Sequence, residues 1–338
     1  MVAGMRLLVL GGSSFVGRAV VEDGVRRGWN VATFNRGTRP AVDAAVEPLV
    51  GDRLDPADLH VLRGREWDVV VDTWSGAPRA AADSAAVLAG HAGAYAYVSS
   101  GSVYAPPPPI DGDESSPTVE GAPDATGGEY PQLKRGAELA IEQAFGDRAL
   151  LARAGLILGP HEDVGRLPWW LLRMHRGGEV LAPGPRDLPI QYVDARDLAA
   201  WMLDAALAGR SGAYNVVRRA GEETMGSLLD ACREVAGARD TTLTWVAPEA
   251  VLAAGIEPWS ELPVWIPAEH EYRGMHAANV ERAYAADLRP RPLRETVADT
   301  WSWLESVDLE PPQRADRDRP GLDPAKEAAA LEAAAAAR

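Results

Sequence analysis

Short apolar runs alternate with segments of helical periodicity through most of the first two hundred residues. The runs predict strands at residues 5–10, 31–34, 49–50, 67–71, 94–99, 149–158 and 189–193. The periodic segments predict helices at residues 16–28, 78–91, 131–145 and 197–207. Because these strands are apolar at nearly every position, we expect a parallel sheet that is covered on both faces. The pattern therefore predicts an α/β fold with a Rossmann-type, doubly wound sheet.

The pattern becomes less regular after about residue 217, where it predicts a smaller C-terminal substrate lobe. We expect residues 1–160 and about 190–216 to form a dinucleotide-binding domain, and residues 161–189 and 217–310 to form the lobe. Residues 311–338 are predicted to be a linker followed by a C-terminal helix rich in alanine. Residues 105–129 lack periodicity, and so long a loop inside a compact domain is usually functional or disordered.

Charge and composition narrow the classes of function. The 34 Lys and Arg residues against 49 Asp and Glu residues give a net charge of −15, which disfavours nucleic acid and anionic membranes as partners. The single cysteine, Cys232, fits a reducing compartment. There is no uninterrupted apolar run of about 18 residues and no long apolar stretch near the N-terminus. We therefore expect a cytoplasmic protein with no membrane partner.

A glycine-rich turn follows the first predicted strand and precedes the first predicted helix. Such a turn lets the backbone approach a pyrophosphate, which the free N–H groups of the helix N-terminus then bind. Ser14 stands where the motif usually has its middle glycine, so a purely structural turn is the alternative. The turn nevertheless predicts a nicotinamide dinucleotide site, to which we assign Gly11, Ser13, Ser14, Phe15 and Val16.

The end of the second strand bears on the type of dinucleotide. NAD sites usually place a carboxylate there for the ribose hydroxyl, but this chain has Asn35 and Arg36. A cation suits the 2′-phosphate of NADP, so NADP is the expected cofactor and NAD the alternative. Asp52 and Arg53 follow the third strand and complete the predicted cofactor-binding set.

Tyr130 and Lys134 lie four residues apart, which places them on one face of a predicted helix. A nearby cation favours a phenolate, so such a tyrosine can exchange a proton with a substrate oxygen. Ser100 closes the fifth strand, at the sheet edge where open α/β folds bind ligands. Its hydroxyl could hydrogen-bond the same substrate oxygen. These three residues are the predicted catalytic set, with no metal site.

With these motifs in this order, the chain resembles the extended and atypical short-chain dehydrogenase/reductases, in the NAD-dependent epimerase/dehydratase family. The resemblance runs from Met5 to about Trp303, through the segments LVLGGSSFVG (8–17), YVSSGSVYA (97–105), YPQLK (130–134), ARAGLILGP (152–160) and QYVDARDLA (191–199). It implies that Ser100 is the catalytic serine, Tyr130 the general acid/base, and Lys134 the residue that binds the nicotinamide ribose and tunes the tyrosine. It also implies hydride transfer, a small-molecule substrate and a homodimer as the usual assembly.

The chain also departs from this pattern. Relatives that act on nucleotide sugars usually carry a diphosphate-binding arginine just before the segment VDARDLA, where this chain has Ile190 and Gln191, although Arg186 or Arg196 could substitute. We therefore expect an NADP-dependent oxidoreductase that acts as a carbonyl reductase. The alternative is an NAD-dependent epimerase or dehydratase of a sugar derivative. A non-catalytic RNA-binding or structural relative is a third, less favoured reading.

Overall fold

A computed structural model describes residues 4–315 and 317–336, which divide into two compact units. The first unit contains the residues up to Gly155 together with Ala195–Val217 and Asn279–Arg289. The second contains Leu156–Asp194, Arg218–Ala278 and the residues from Pro290 onward.

The strands, in chain order, are β1 (Arg6–Leu10), β2 (Asn30–Asn35), β3 (Glu47–Val50), β4 (Trp67–Asp72), β5 (Ala92–Ser100), β6 (Ala149–Ala154), β7 (Leu156–Leu158), β8 (Glu179–Pro183), β9 (Pro189–Ile190), β10 (Tyr192–Asp194), β11 (Gly212–Val216), β12 (Glu223–Thr224) and β13 (Thr242–Val246). The helices are α1 (Phe15–Arg26), α2 (Pro78–Leu88), α3 (Tyr130–Phe145), α4 (Arg166–His175), α5 (Ala195–Leu207), α6 (Met225–Ala236), α7 (Pro248–Ala253), α8 (Glu281–Ala285), α9 (Leu293–Ser306) and α10 (Pro324–Ala336).

The first unit is built on a seven-stranded parallel sheet of order β11-β6-β5-β4-β1-β2-β3. Alternate strand residues point to opposite faces, so each strand contributes side chains to the apolar cores on both faces of the sheet. Leu8, Leu10 and Val70 pack with residues of α2 and α3. Leu7 and Val31, which point the other way, lie against α1 at Gly24, and α1 packs with α5. The predicted doubly wound Rossmann-type sheet is confirmed.

In the described residues of the second unit, three two-stranded sheets are formed, by β7 with β10, β8 with β13, and β9 with β12. Its core contains the buried rings of Trp170 and Trp265 and apolar residues of α4, α6 and α9. The C-terminal helix α10 contributes Ala330 and Leu331 to the same core. Arg173 of α4 also donates to the carboxylate of Glu327 of α10 in a buried ion pair of 2.7 Å. The terminal helix is therefore an integral part of this unit.

Two predicted strands are each divided in the structure. Residues 149–158 form β6 and β7, because β6 pairs with β11 in the large sheet whereas β7 pairs with β10. Gly155 lies at the change of partner, and a Cβ atom there would be 3.0 Å from a Val217 methyl. Residues 189–193 similarly form β9 and β10. The prediction of single strands is wrong in both places, since apolar runs do not show which strand is the partner.

Within the described residues, none of the helices combines the length and the apolar character needed to span a bilayer.

Candidate active site

The glycine turn lies at the carboxyl end of β1, directly before α1. Gly11 has a φ of +118°, and a Cβ atom there would be 2.4 Å from the Thr73 hydroxyl oxygen. A Cβ atom on Gly17 would be 2.7 Å from the backbone nitrogen of Gly12. Both positions therefore require glycine, because the turn packs closely against Thr73 and against its own backbone.

The other predicted residues of this turn form the start of α1. Ser14 is the N-cap residue, but its hydroxyl makes no capping hydrogen bond. Phe15 has a φ of +35°, a conformation that is uncommon for residues other than glycine. Ser13, Ser14 and Phe15 are half-buried, whereas Val16 is buried. The first N–H groups of a helix have no partner within the helix, so this start offers donors to an anion.

Asn35 connects the glycine turn to the end of β2. Its side-chain amide donates to the carbonyl of Gly11 at 3.1 Å, and its oxygen accepts from the backbone N–H of Gly37 at 2.9 Å. Arg36, between these contacts, is exposed and forms no ion pair with any residue in the described part of the chain. This edge of the site therefore presents a cation and no carboxylate of its own.

Asp52 and Arg53 lie side by side after β3, but their side chains have different surroundings. Asp52 is half-buried and accepts from the backbone N–H of Leu54 at 2.9 Å. Arg53 is buried and donates to both carboxylate oxygens of Asp72, at 2.6 and 2.9 Å. The guanidinium of Arg53 is thus paired within the protein, so a contact of this residue with the cofactor would be made through its backbone.

The three predicted catalytic residues lie on β5 and α3. Tyr130 is the first residue of α3 and is half-buried. The buried ammonium of Lys134, one turn later, lies 6.0 Å from the centroid of the Tyr130 ring. It donates to the carbonyl of Val98 at 2.7 Å, two residues before Ser100. Lys134 therefore connects the start of α3 to the end of β5.

Ser100 ends β5 at the carboxyl edge of the sheet. Its hydroxyl oxygen accepts from the backbone N–H of Ser102 at 3.1 Å, and the residue is 8% exposed. A phenol, an ammonium and a hydroxyl thus occur on two adjacent elements at the edge where parallel α/β sheets bind ligands. Across the described part of the chain, no group of three or more His, Cys, Asp or Glu side chains is placed to bind a metal ion.

A buried ionic network supports these elements, and sequence reasoning missed it. Glu138, one turn after Lys134 on α3, is fully buried and accepts from Arg153 of β6 at 2.9 and 3.0 Å. Glu138 also accepts from the Ser99 hydroxyl at 2.7 Å. Arg153 donates to the carbonyl of Glu114, within the long loop 105–129, at 3.2 Å. The sequence did contain one signal of this network: Glu138, four residues after Lys134, places a carboxylate on the apolar face of the helix.

A model of a protein family also matches this chain. The model described as "NAD dependent epimerase/dehydratase family" matches residues 7–217, which is more than half of the chain. The chain belongs to this family. The resemblance read from the sequence is confirmed, and the match includes the glycine turn, Ser100, Tyr130 and Lys134. Membership supports a nicotinamide dinucleotide as the cofactor and does not show a preference for NADP.

Solved structures of related fold cover nearly the whole chain. The UDP-N-acetylglucosamine 4-epimerase of Methanobrevibacter ruminantium is 15% identical, with a TM-score of 0.67 over 90% of this chain and 99% of that one. The enzyme WbmG of Bordetella bronchiseptica, in complex with NAD, is 16% identical with a TM-score of 0.66 over 91% and 96%. The UDP-glucose 4-epimerase of Thermus thermophilus, also with NAD, is 19% identical with a TM-score of 0.60 over 90% and 100%. At these identities the likeness establishes the fold alone.

A search of curated proteins found no match.

The second unit contains the position at which the sequence lacks the expected diphosphate-binding arginine. Gln191 occupies it and is fully buried. Its side-chain amide donates to the carbonyls of Arg218 and Ala278 at 3.0 and 2.9 Å, and its oxygen accepts from the Ala278 N–H at 2.7 Å. Arg186, one of the candidate substitutes, pairs with Asp230 and lies over the Trp245 ring. Neither side chain is therefore organised as a diphosphate site.

Proposed function

We propose that this family member uses a nicotinamide dinucleotide to interconvert a secondary alcohol and a carbonyl in a sugar derivative, as an epimerase or dehydratase that restores its cofactor in each cycle. The observation that carries the proposal is the placement of the Lys134 ammonium between the Tyr130 ring and the end of β5. Family membership favours this reading, the alternative drawn from the sequence, over a carbonyl reductase.

The residues present fit the cofactor. The glycine turn lies directly before α1, and the N–H groups at the start of that helix offer donors to a pyrophosphate. Asp52 could accept from the adenine amino group, and Lys134 could bind the nicotinamide ribose. When bound, the nicotinamide ring accepts or supplies a hydride.

The roles of the chain's own residues follow from their chemistry. Tyr130 would exchange a proton with the substrate oxygen, and Ser100 would donate a hydrogen bond to that oxygen. The positive charge of Lys134 favours the phenolate and so makes this exchange easier. Because Gln191 is a buried amide held by Arg218 and Ala278, we favour a sugar derivative without a nucleoside diphosphate.

The proposal can be tested by measuring whether the nicotinamide stays bound and whether its oxidation state changes over a full turnover. We expect the purified protein to retain a nucleotide through gel filtration, and to convert a sugar substrate with no net change in nicotinamide absorbance. The released nucleotide can be identified chromatographically after acid denaturation. Stoichiometric consumption of added NADPH on ketones or aldehydes would contradict the proposal and support the second candidate.

That second candidate, an NADP-dependent carbonyl reductase, is favoured by one observation. The end of β2 presents the exposed guanidinium of Arg36 and no carboxylate. Arginine binds phosphate through two parallel hydrogen bonds, which suits the 2′-phosphate that distinguishes NADP from NAD.

Replacing Arg36 by alanine tests the cofactor preference directly. We expect affinity for NADPH to fall about ten-fold or more, because a charge-assisted contact to phosphate is lost, while affinity for NADH changes by less than about two-fold. Both can be measured by fluorescence titration. Arg63→Ala, which removes another exposed arginine, is the matched control and should change neither affinity. Equal losses for the two cofactors in Arg36→Ala would contradict the assignment.

A further inference from the structure

The ammonium of Lys134 has a second backbone partner that no sequence motif indicates. It donates to the carbonyl of Trp74 at 2.6 Å, in the loop that follows β4. The same carbonyl accepts from the Tyr97 hydroxyl at 2.9 Å, and the ammonium lies 4.7 Å from the Tyr97 ring centroid. The carbonyls of Trp74 and Val98 therefore both hold the Lys134 ammonium.

The position of Trp74 is in turn determined by Asp72, the last residue of β4. The Asp72 carboxylate accepts from the Trp74 backbone N–H at 2.9 Å and from the Tyr95 hydroxyl at 2.7 Å. Both of its oxygens also accept hydrogen bonds from the guanidinium of Arg53. The central carbon of that guanidinium lies 4.8 Å from the Trp74 ring centroid. Arg53 thus acts on Trp74 twice, through Asp72 and by stacking on the indole.

The Arg53–Asp72 pair is buried and remains ionic. Burial alone would lower the pKa of Arg53, but the charge of Asp72 outweighs this effect and raises the pKa. Burial alone would raise the pKa of Asp72, but the charge and hydrogen bonds of Arg53 lower it. Additional hydrogen bonds to the Ser84 hydroxyl and the Ala80 carbonyl fix the guanidinium. The pair is therefore charged at neutral pH and is held by hydrogen bonds to two further groups.

We infer that Arg53 is a positioning residue for Lys134, acting through Asp72 and the carbonyl of Trp74. The inference rests on the proposed function, in which Lys134 contacts the nicotinamide ribose. Arg53 directly follows Asp52, the residue expected at the adenine end of the cofactor. One short segment after β3 would thus bind one end of the dinucleotide and orient the group that binds the other end.

This arrangement predicts a selective effect on ligands of different length. Adenosine diphosphate reaches the glycine turn and Asp52 but has no nicotinamide ribose for Lys134. We therefore expect Arg53→Met to lower the affinity for the preferred nicotinamide dinucleotide roughly ten-fold, the size expected for misplacing one charged hydrogen bond. Affinity for adenosine diphosphate should change by less than about two-fold. Isothermal calorimetry on the full chain measures both without any turnover.

Three further variants make this test specific. Arg27→Met is the matched control, because Arg27 pairs with Asp23 and Asp204 at the far end of α1 from the glycine turn, and it should change neither affinity. Arg53→Lys keeps the charge beside Asp72 and should have a dinucleotide affinity between those of the unaltered chain and Arg53→Met. If Arg53→Met does not fold, the affinities of Arg53→Lys for the two ligands provide the same comparison. In a double-mutant cycle, Arg53→Met should add little to the loss caused by Lys134→Met.

The outcomes separate this inference from the proposed function. If the unaltered chain binds no nicotinamide dinucleotide, both are wrong. If it binds one and Arg53→Met weakens both ligands equally, or neither, the positioning role alone is wrong. Full additivity with Lys134→Met would also overturn it, because Arg53 would then act independently of Lys134. A selective, non-additive loss of dinucleotide affinity supports it.

Discussion

Replacing Tyr130 by phenylalanine should lower turnover by roughly 10²- to 10⁴-fold, the range associated with a positioned acid or base. The change removes one hydroxyl and keeps the ring at the start of α3, beside the Lys134 ammonium. Because the cofactor contacts assigned to the glycine turn, Asp52 and Lys134 are all retained, cofactor affinity should stay within a few-fold of the original. Steady-state kinetics and a fluorescence titration on the same preparation measure both quantities.

Tyr272→Phe is the matched control for this experiment. Tyr272 is 39% exposed and lies in a short 3₁₀ segment of the second unit, so removal of its hydroxyl should leave turnover unchanged. Unchanged turnover in Tyr130→Phe would remove the catalytic assignment. A parallel loss of turnover and cofactor affinity would instead show that the hydroxyl has a structural role.

Replacing Arg153 by methionine should lower the free energy of unfolding by up to about 3 kcal/mol, since the buried carboxylate of Glu138 loses one of its two charged partners and keeps only Arg135, at 2.8 Å. Burial disfavours the charge on Arg153, yet the hydrogen bond and charge of Glu138 raise its pKa above the ordinary value. Arg153 also donates to the Tyr104 hydroxyl and to the carbonyl of Glu114. We therefore expect loop 105–129 to become more sensitive to proteolysis as well.

Urea unfolding and limited proteolysis test these two consequences. The double variant Glu138→Gln, Arg153→Met should lose less stability than the two single changes added together, because the buried carboxylate is removed together with its buried partner. Arg79→Met is the control: its ion pair with Asp83 is exposed and should contribute less than about 1 kcal/mol. A stability loss in Arg153→Met no larger than in this control would contradict the assigned importance of the network.

The local elements and the reacting groups could be predicted from the sequence because both depend on near neighbours. The glycine turn and the apolar strands are short continuous segments, and the four-residue spacing of Tyr130 and Lys134 follows the helical period of about 3.6 residues. The guanidinium of Arg53 shows what such reasoning does not reach. Its position after β3 indicates a cofactor contact for the residue, but nothing near it in the sequence indicates that its guanidinium pairs with Asp72, 19 residues away.

The sequence alone thus determined the parallel α/β architecture, the glycine turn before α1 and the family. The tertiary structure decided which ionic side chains pair in the core, where β6 ends and β7 begins, and that residues 279–289 belong with the first unit. The physical reason is that the apolar pattern of a strand does not specify which strand pairs with it in the sheet. Pairs such as Tyr104 and Asn215, 111 residues apart, form only once the order of the strands is established.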